Sequence, residues 1–305
     1  MRSKWTAAAM ATLVLTSACG TSATAPLAGS RGDRVTVVAS FYPLAVAAER
    51  VGGDGVVVAN LTPPGAEPHD LELSPPEVEQ LQDADVVLVM GRKFQPAVEE
   101  VAASRTNGTV ALLATLPVPQ EGEVDDQREG GFDPHVWLDP ALMADIVEDV
   151  AAALSQADPE RAGMFRANAD TFRRELEGLD GRYATALAGC EQRTMVTSHA
   201  AFAYLADRYG MTQQAVAGLS PEAEPDPRRL AALSDLVAKD GITTIFTENL
   251  VSPKVAQTLA KETGVTTAVL NPLEGLTDDQ RAEGADYVSV MDDNLAVLST
   301  ALDCR

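Results

Sequence analysis

Three histidines, His69, His135 and His199, are the only imidazoles in a chain of 305 residues. They stand about 65 residues apart, whereas a zinc finger crowds its ligands within about 25. Neutral imidazoles suit zinc, copper and nickel, while magnesium, calcium and manganese prefer oxygen donors. A single histidine is more often a packed or surface residue than a ligand. Here all three fall in loops or at strand ends, and Pro68 and Pro134 stiffen the backbone just before two of them. The joint pattern points to one metal site gathered from distant parts of the chain. Its hub is the stretch Asp133-Pro134-His135-Val136-Trp137-Leu138-Asp139.

Such a site needs a scaffold that brings loop ends together. Short β-branched runs alternate with helical patterns, which argues for parallel sheets built from βαβ units. Strands are expected over 34–40, 56–61, 85–90 and 109–113, then over 193–198, 211–217, 242–247 and 265–270. Asp158-Pro159 reads as the cap and first position of a long helix. Its apolar stripe is Phe165, Ala169, Phe172, Leu176, Leu179, Tyr183 and Leu187. A last helix is expected over 278–302. The fold class expected is α/β, with two lobes, each a roughly four-stranded, mainly parallel sheet flanked by helices, joined by one long rigid helix. The divisions are 34–157, 158–189 and 190–305. Ligands collect at the carboxyl ends of parallel strands. That places His69 and His135 on one side of a cleft and His199 on the other.

Apolar residues make up 46% of the chain, enough for real cores, and the formal net charge is −22. It becomes −24 without the first 18 residues, which carry Arg2 and Lys4. A surface this acidic repels phosphate backbones, so no nucleic-acid partner is expected and a cation is a natural one, although acidity also serves solubility. Residues 1–19 read as an export signal ending in Thr16-Ser17-Ala18-Cys19, a lipobox with Cys19 as the site of lipid attachment. Residues 20–33 read as a flexible tether. The stretch 117–131, with Glu121, Glu123, Asp125, Asp126 and Glu129, is either a solvated loop or a weak collector of cations. Cys190 and Cys304 remain as an even pair in an oxidising compartment and are expected to form a disulfide; the alternative is two buried free thiols. The chain is read as a monomer.

From about Arg34 to Cys304 the chain resembles the zinc/manganese-type substrate-binding lipoproteins of bacterial ABC transporters. The resemblance is carried by Pro64-Gly65-Ala66-Glu67-Pro68-His69-Asp70-Leu71-Glu72-Leu73-Ser74-Pro75, by Asp133 to Pro140, and by Ser198-His199-Ala200-Ala201-Phe202. Ile245-Phe246-Thr247-Glu248 and a closing helix with Tyr287, Met291 and Asn294 add to it. It implies a metal held between the lobes, delivery to a membrane ABC permease, and an exported protein lipid-anchored to the cell membrane. Histidine at the third ligand position goes with zinc-type members. His199 therefore points to Zn2+ as the transported ligand, ahead of Mn2+.

One position departs from the family pattern. Asn271-Pro272-Leu273 stands where many members have an aspartate ligand. The expected ligands are His69, His135 and His199, with Asn271 or a water in fourth place. The nearest carboxylates are Glu274, Glu248, Glu222 and Glu224. Asp139 and Glu248 are the candidates to accept the other ring N–H of a bound histidine, although Asp139 equally suits a helix cap. A zinc hydrolase with an open fourth position is the alternative of another class. It would need a general base, and neither an HExxH stretch nor a nucleophile elbow is present. A metal-stabilised adhesin is the third reading.

Overall fold

The computed structural model describes residues 34–118 and 132–305. The export signal, Cys19, the tether and positions 119–131 of the acidic stretch lie outside the described residues. The first lobe runs β1 (Val35–Ala39), α1 (Tyr42–Gly52), β2 (Val56–Asn60), α2 (Pro75–Asp83), β3 (Val86–Val89), α3 (Pro96–Ala103) and β4 (Thr109–Ala111). Two long helices follow, α4 (Pro140–Ala157) and α5 (Ala162–Leu187). The second lobe runs β5 (Thr194–Thr197), α6 (Ala203–Arg208), β6 (Thr212–Ala215), α7 (Pro227–Asp240), β7 (Thr244–Thr247), α8 (Lys254–Thr263) and β8 (Thr266–Val269). It closes with α9 (Asp278–Ala282) and α10 (Tyr287–Ala301).

Strand order is β2-β1-β3-β4 in one sheet and β6-β5-β7-β8 in the other, with every pairing parallel. The two sheets share one topology, as the alternation of strand and helix patterns leads one to expect. In each, the chain crosses its first strand to start the third. That crossing opens a crevice at the carboxyl ends where ligands can lodge. β3 is buried along its whole length, so both of its faces are covered, and its unbroken Val-Val-Leu-Val run follows from that.

α5 is the long helix between the sheets. At 1.5 Å per residue its 26 residues span ~39 Å. Its seven apolar positions from Phe165 to Leu187 are all buried in one core that draws on β1, α4, α6 and α10. The helix begins later than the sequence suggests. Asp158 and Pro159 form the turn between α4 and α5, where Asp158 Oδ1 accepts from the backbone N–H of Glu160 and Arg161 at 3.1 and 3.2 Å. The last helix is also two rather than one. Gly284, at φ 79°, follows α9, and Asp286 restarts the chain through a reciprocal cap with Ser289.

Contacts outside the histidines join the lobes. Tyr204 donates to the Asp133 carbonyl at 3.2 Å, and Arg208 Nε lies 3.2 Å from Asp139 Oδ1. Trp137 Nε1 donates to the Pro272 carbonyl at 2.8 Å, and Gly65 N–H donates to the Leu276 carbonyl at 3.1 Å. Gly65 does so at φ 74°, a backbone that glycine adopts freely. Cys190 and Cys304 form a disulfide that ties the end of the chain to the segment after α5. Among the described residues, no helix is long and apolar enough to cross a membrane.

Candidate metal centre

Each histidine sits where a strand or a stiff coil releases the chain. His199 follows β5 by two residues, His69 lies in the loop after β2, and His135 opens a short 3-10 turn at Val136–Leu138. The fold brings all three together with Glu274, from the coil after β8. Their ligand atoms lie within 4.8 Å of one another. Glu274 Oε1 is 3.2 Å from His69 Nε2, 3.2 Å from His135 Nε2 and 3.3 Å from His199 Nε2. His135 Nε2 and His199 Nε2 are 3.3 Å apart. A tetrahedral ion with bonds of about 2.0–2.1 Å sets its ligand atoms about 3.3 Å apart. Four of the six separations match that edge.

The site is shielded from solvent on three sides. His135 and His199 are fully buried and Glu274 is 1% exposed, while the His69 side chain keeps 10% exposure and forms the solvent side. Phe94 packs edge-on to His69 at 4.7 Å between ring centroids, and Trp137 lies 5.1 Å from His135. An isolated carboxylate in such surroundings would be strongly disfavoured. Burial alone would raise Glu274, but the charge on His199 and bonds to the three imidazoles hold it well below the ordinary carboxylate range. Its second oxygen has no hydrogen-bond partner among the described residues.

The histidines differ among themselves. Burial works against charge on His199, yet the carboxylates of Glu248 and Glu274 outweigh it and hold the imidazole well above its usual value. His135 is raised too, with burial opposed by Asp133 and Glu274. For His69 burial wins over Glu274 and the value is lowered.

A layer of acceptors orients the rings. His199 Nδ1 lies 2.6 Å from Glu248 Oε2, and His135 Nδ1 lies 2.7 Å from Asp133 Oδ1. Both histidines also donate their backbone N–H to the same carboxylates, each at 3.0 Å. With Nδ1–H committed, Nε2 is left free to face the centre. Glu67 Oε1 accepts from the His69 backbone N–H at 3.0 Å. Burial and the charge of Glu274 push the Glu67 carboxyl up to about 8.

Asp133, not Asp139, stands beside the His135 ring. Asp139 caps α4 by accepting from Ala141 N–H at 2.8 Å and faces Arg208. Asp133 lies in the hub stretch but outside the candidates named from sequence, and its signal is position: two residues before the histidine, its side chain reaches forward to both the backbone N–H and Nδ1. Asn271 is buried, and its side-chain oxygen accepts from Leu273 N–H at 2.8 Å. Glu222 and Glu224 are exposed, and Glu274 is the carboxylate that stands among the three histidines.

Comparison with known proteins places this geometry. The family model described as zinc-uptake complex component A, periplasmic, matches residues 37–301. The zinc-binding protein AdcA of Streptococcus pyogenes is 40% identical over 290 residues, covering 88% of this chain and 56% of that relative. The chain thus spans little more than half the length of the streptococcal relatives it matches. The high-affinity zinc uptake system protein ZnuA of Bacillus subtilis is 34% identical over 303 residues, covering 96% of this chain and 95% of that protein. The crystal structure of the Zn(II)-bound ZnuA-like domain of Streptococcus pneumoniae AdcA superposes with a TM-score of 0.73 at 37% identity, covering 88% of this chain and 99% of that one. With its two like sheets, its long helix and its buried His3Glu cluster, the chain belongs to the family of the periplasmic component A of zinc-uptake complexes.

Proposed function

We propose that this protein captures Zn2+ between its lobes, outside the cytoplasm, and delivers it to the membrane permease of an ABC-type metal importer. The ligands in this reading are His69, His135, His199 and Glu274. The observation that carries it is the set of ligand-atom separations of 3.2–3.3 Å, the edge of a zinc tetrahedron. Three imidazole nitrogens with one carboxylate oxygen favour zinc over manganese, which prefers more oxygens. The zinc-binding and zinc-uptake relatives support the same choice. In this reading Cys19 carries the lipid, 20–33 is the tether, and the lobes divide at 34–157 and 190–305 around the connecting segment 158–189.

A zinc hydrolase keeps a coordination position open for water. Here Glu274 fills the fourth direction, which argues for holding an ion rather than activating water on it. The experiment is competition: protein stripped of metal is offered Zn2+ and Mn2+ against a calibrated chelator at neutral pH. The reading expects one tightly held zinc, lost in His69→Ala, His135→Ala, His199→Ala and Glu274→Ala. Tighter binding of Mn2+ than of Zn2+ would overturn it.

A further inference from the structure

Glu274 reaches the centre from a coil, not from a strand end or a helix, so something else must aim its side chain. Asn294 of α10 grips the backbone of Asn271 with both arms. Its Oδ1 accepts from Asn271 N–H at 2.8 Å and its Nδ2 donates to the Asn271 carbonyl at 2.7 Å. The Asn271 side chain then folds forward, and its Oδ1 accepts from Leu273 N–H at 2.8 Å. Between them, the Pro272 carbonyl accepts from Trp137 Nε1 of the other lobe. Leu273 carries φ 55°, a left-handed backbone that a residue with a branched side chain adopts only when its surroundings enforce it. Its side chain is fully buried in the core, so leucine is kept at a position whose backbone suits glycine.

We propose that Asn271 is a positioning residue for Glu274. Its amide oxygen holds Leu273 in the left-handed region, and that turn directs Glu274 at the three histidines. The proposal rests on the reading of Glu274 as the fourth ligand. It also gives the neutral amide a part in metal choice. With the Asn271 oxygen committed to Leu273 N–H, the donor offered by the segment is the Glu274 carboxylate, and the donor set stays at three nitrogens and one carboxylate. Asn271→Ala removes the acceptor. Leu273 then relaxes toward ordinary backbone angles and Glu274 turns away from the centre.

The test is a cycle in the full chain, with Zn2+ competition and the thermal midpoint of the metal-free protein read for each variant. Asn271→Ala is expected to weaken zinc about tenfold, equivalent to about 1.4 kcal/mol. In a Leu273→Gly background, where glycine takes the positive φ unaided, the same Asn271→Ala change is expected to alter zinc affinity by less than about twofold. A role in folding alone would lower the metal-free midpoint and leave zinc affinity unchanged, which overturns the proposal. An equal loss of zinc in both backgrounds overturns it too, because Asn271 would then act on the ion rather than on Leu273. Should Asn271→Ala not fold, Asn271→Ser, with a shorter and weaker acceptor, carries the same comparison. Glu274→Ala separates the two layers: if it leaves zinc affinity intact, the ligand reading itself fails; if it abolishes tight binding while Asn271→Ala has no effect, only the positioning role fails.

Discussion

His199 and Glu248 meet twice, ring Nδ1 to Oε2 at 2.6 Å and backbone N–H to Oε1 at 3.0 Å. The pair exists because β5 and β7 are neighbours in the second sheet, so the coils leaving their carboxyl ends open side by side. Both oxygens of one buried carboxylate are thereby spent on fixing one imidazole, in place and in tautomer.

Glu248→Gln keeps the shape but leaves only one oxygen for two donors, and its NH2 then opposes a ring or backbone N–H. Loss of such an orienting partner typically weakens a metal site about 10–100-fold. Chelator competition for zinc should show a fall in that range. Unchanged affinity would mean that packing alone orients His199.

Acidity should oppose binding. Neighbouring carboxylates hold His199 and His135 above the usual imidazole value, so an arriving ion competes with protons at both rings. His69, shifted down, is neutral there. Zinc uptake near neutral pH should therefore release protons. Calorimetry in buffers of different ionisation enthalpy measures this directly, and affinity should rise with pH through the raised values. A binding constant flat between about pH 6 and 8 would contradict it.

The same pairs govern the stability of the metal-free protein. The raised histidines contribute stability that is fully present below the unfolded imidazole value of about 6.5 and fades as pH rises through their folded values. Glu274, shifted down, contributes stability present above the unfolded carboxyl value of about 4.3 and lost as pH falls through its folded value. The thermal midpoint of stripped protein should thus peak between about pH 4.3 and 6.5 and fall on the alkaline side. With zinc bound, the alkaline fall should disappear.

The Cys190–Cys304 disulfide closes a separation of 114 residues. Beside it, Glu191 and Gln192 N–H donate to the carbonyls of Asp303 and Leu302. In the chain-entropy model such a loop contributes about 4–5 kcal/mol. The Cys190→Ser/Cys304→Ser variant should melt roughly 10 °C lower while holding zinc with the affinity of the parent. A large loss of zinc would show that the tail fixes the site.

Contacts away from the candidate ligands also join the lobes, Tyr204 to Asp133, Arg208 to Asp139, Trp137 to Pro272 and Gly65 to Leu276, with α5 buried along one face. Solution scattering of stripped and zinc-bound protein should give nearly identical radii of gyration. A clear contraction on adding zinc would require these contacts to break and reform. Trp137→Phe, which leaves the Pro272 carbonyl buried without its donor, should lower stability by about 1–3 kcal/mol in thermal unfolding.

Much of this architecture is written locally. β-branched runs such as Val35–Ala39 and Val86–Val89 need no partner to announce themselves, and the period of Phe165 to Leu187 identifies the helix that both lobes share. Element boundaries are less legible where a local signal has two uses. Asp158-Pro159 starts helices and makes turns equally well, and here it makes the turn. Gly284 inside an apolar pattern gives no measure of its own break until Asp286 is seen to recap the chain.

By itself the sequence determined the three histidines, because imidazole is scarce in it and each one stands at the end of a patterned segment. It also determined two like α/β halves and a helix between them. Only the tertiary structure decided which oxygens stand beside those histidines. Asp133 and Asp139 are both near His135 in the chain, and Asn271 and Glu274 are three residues apart. Within each pair, the choice depends on where a coil points: Asp133 turns back on its own histidine while Asp139 caps α4, and Asn271 bonds Leu273 while Glu274 faces the centre. Those directions come from a left-handed residue at 273, a grip from Asn294 on a distant helix, and an indole from the opposite lobe. None of these leaves a periodic trace in sequence, because each depends on contacts made only when the two lobes are assembled.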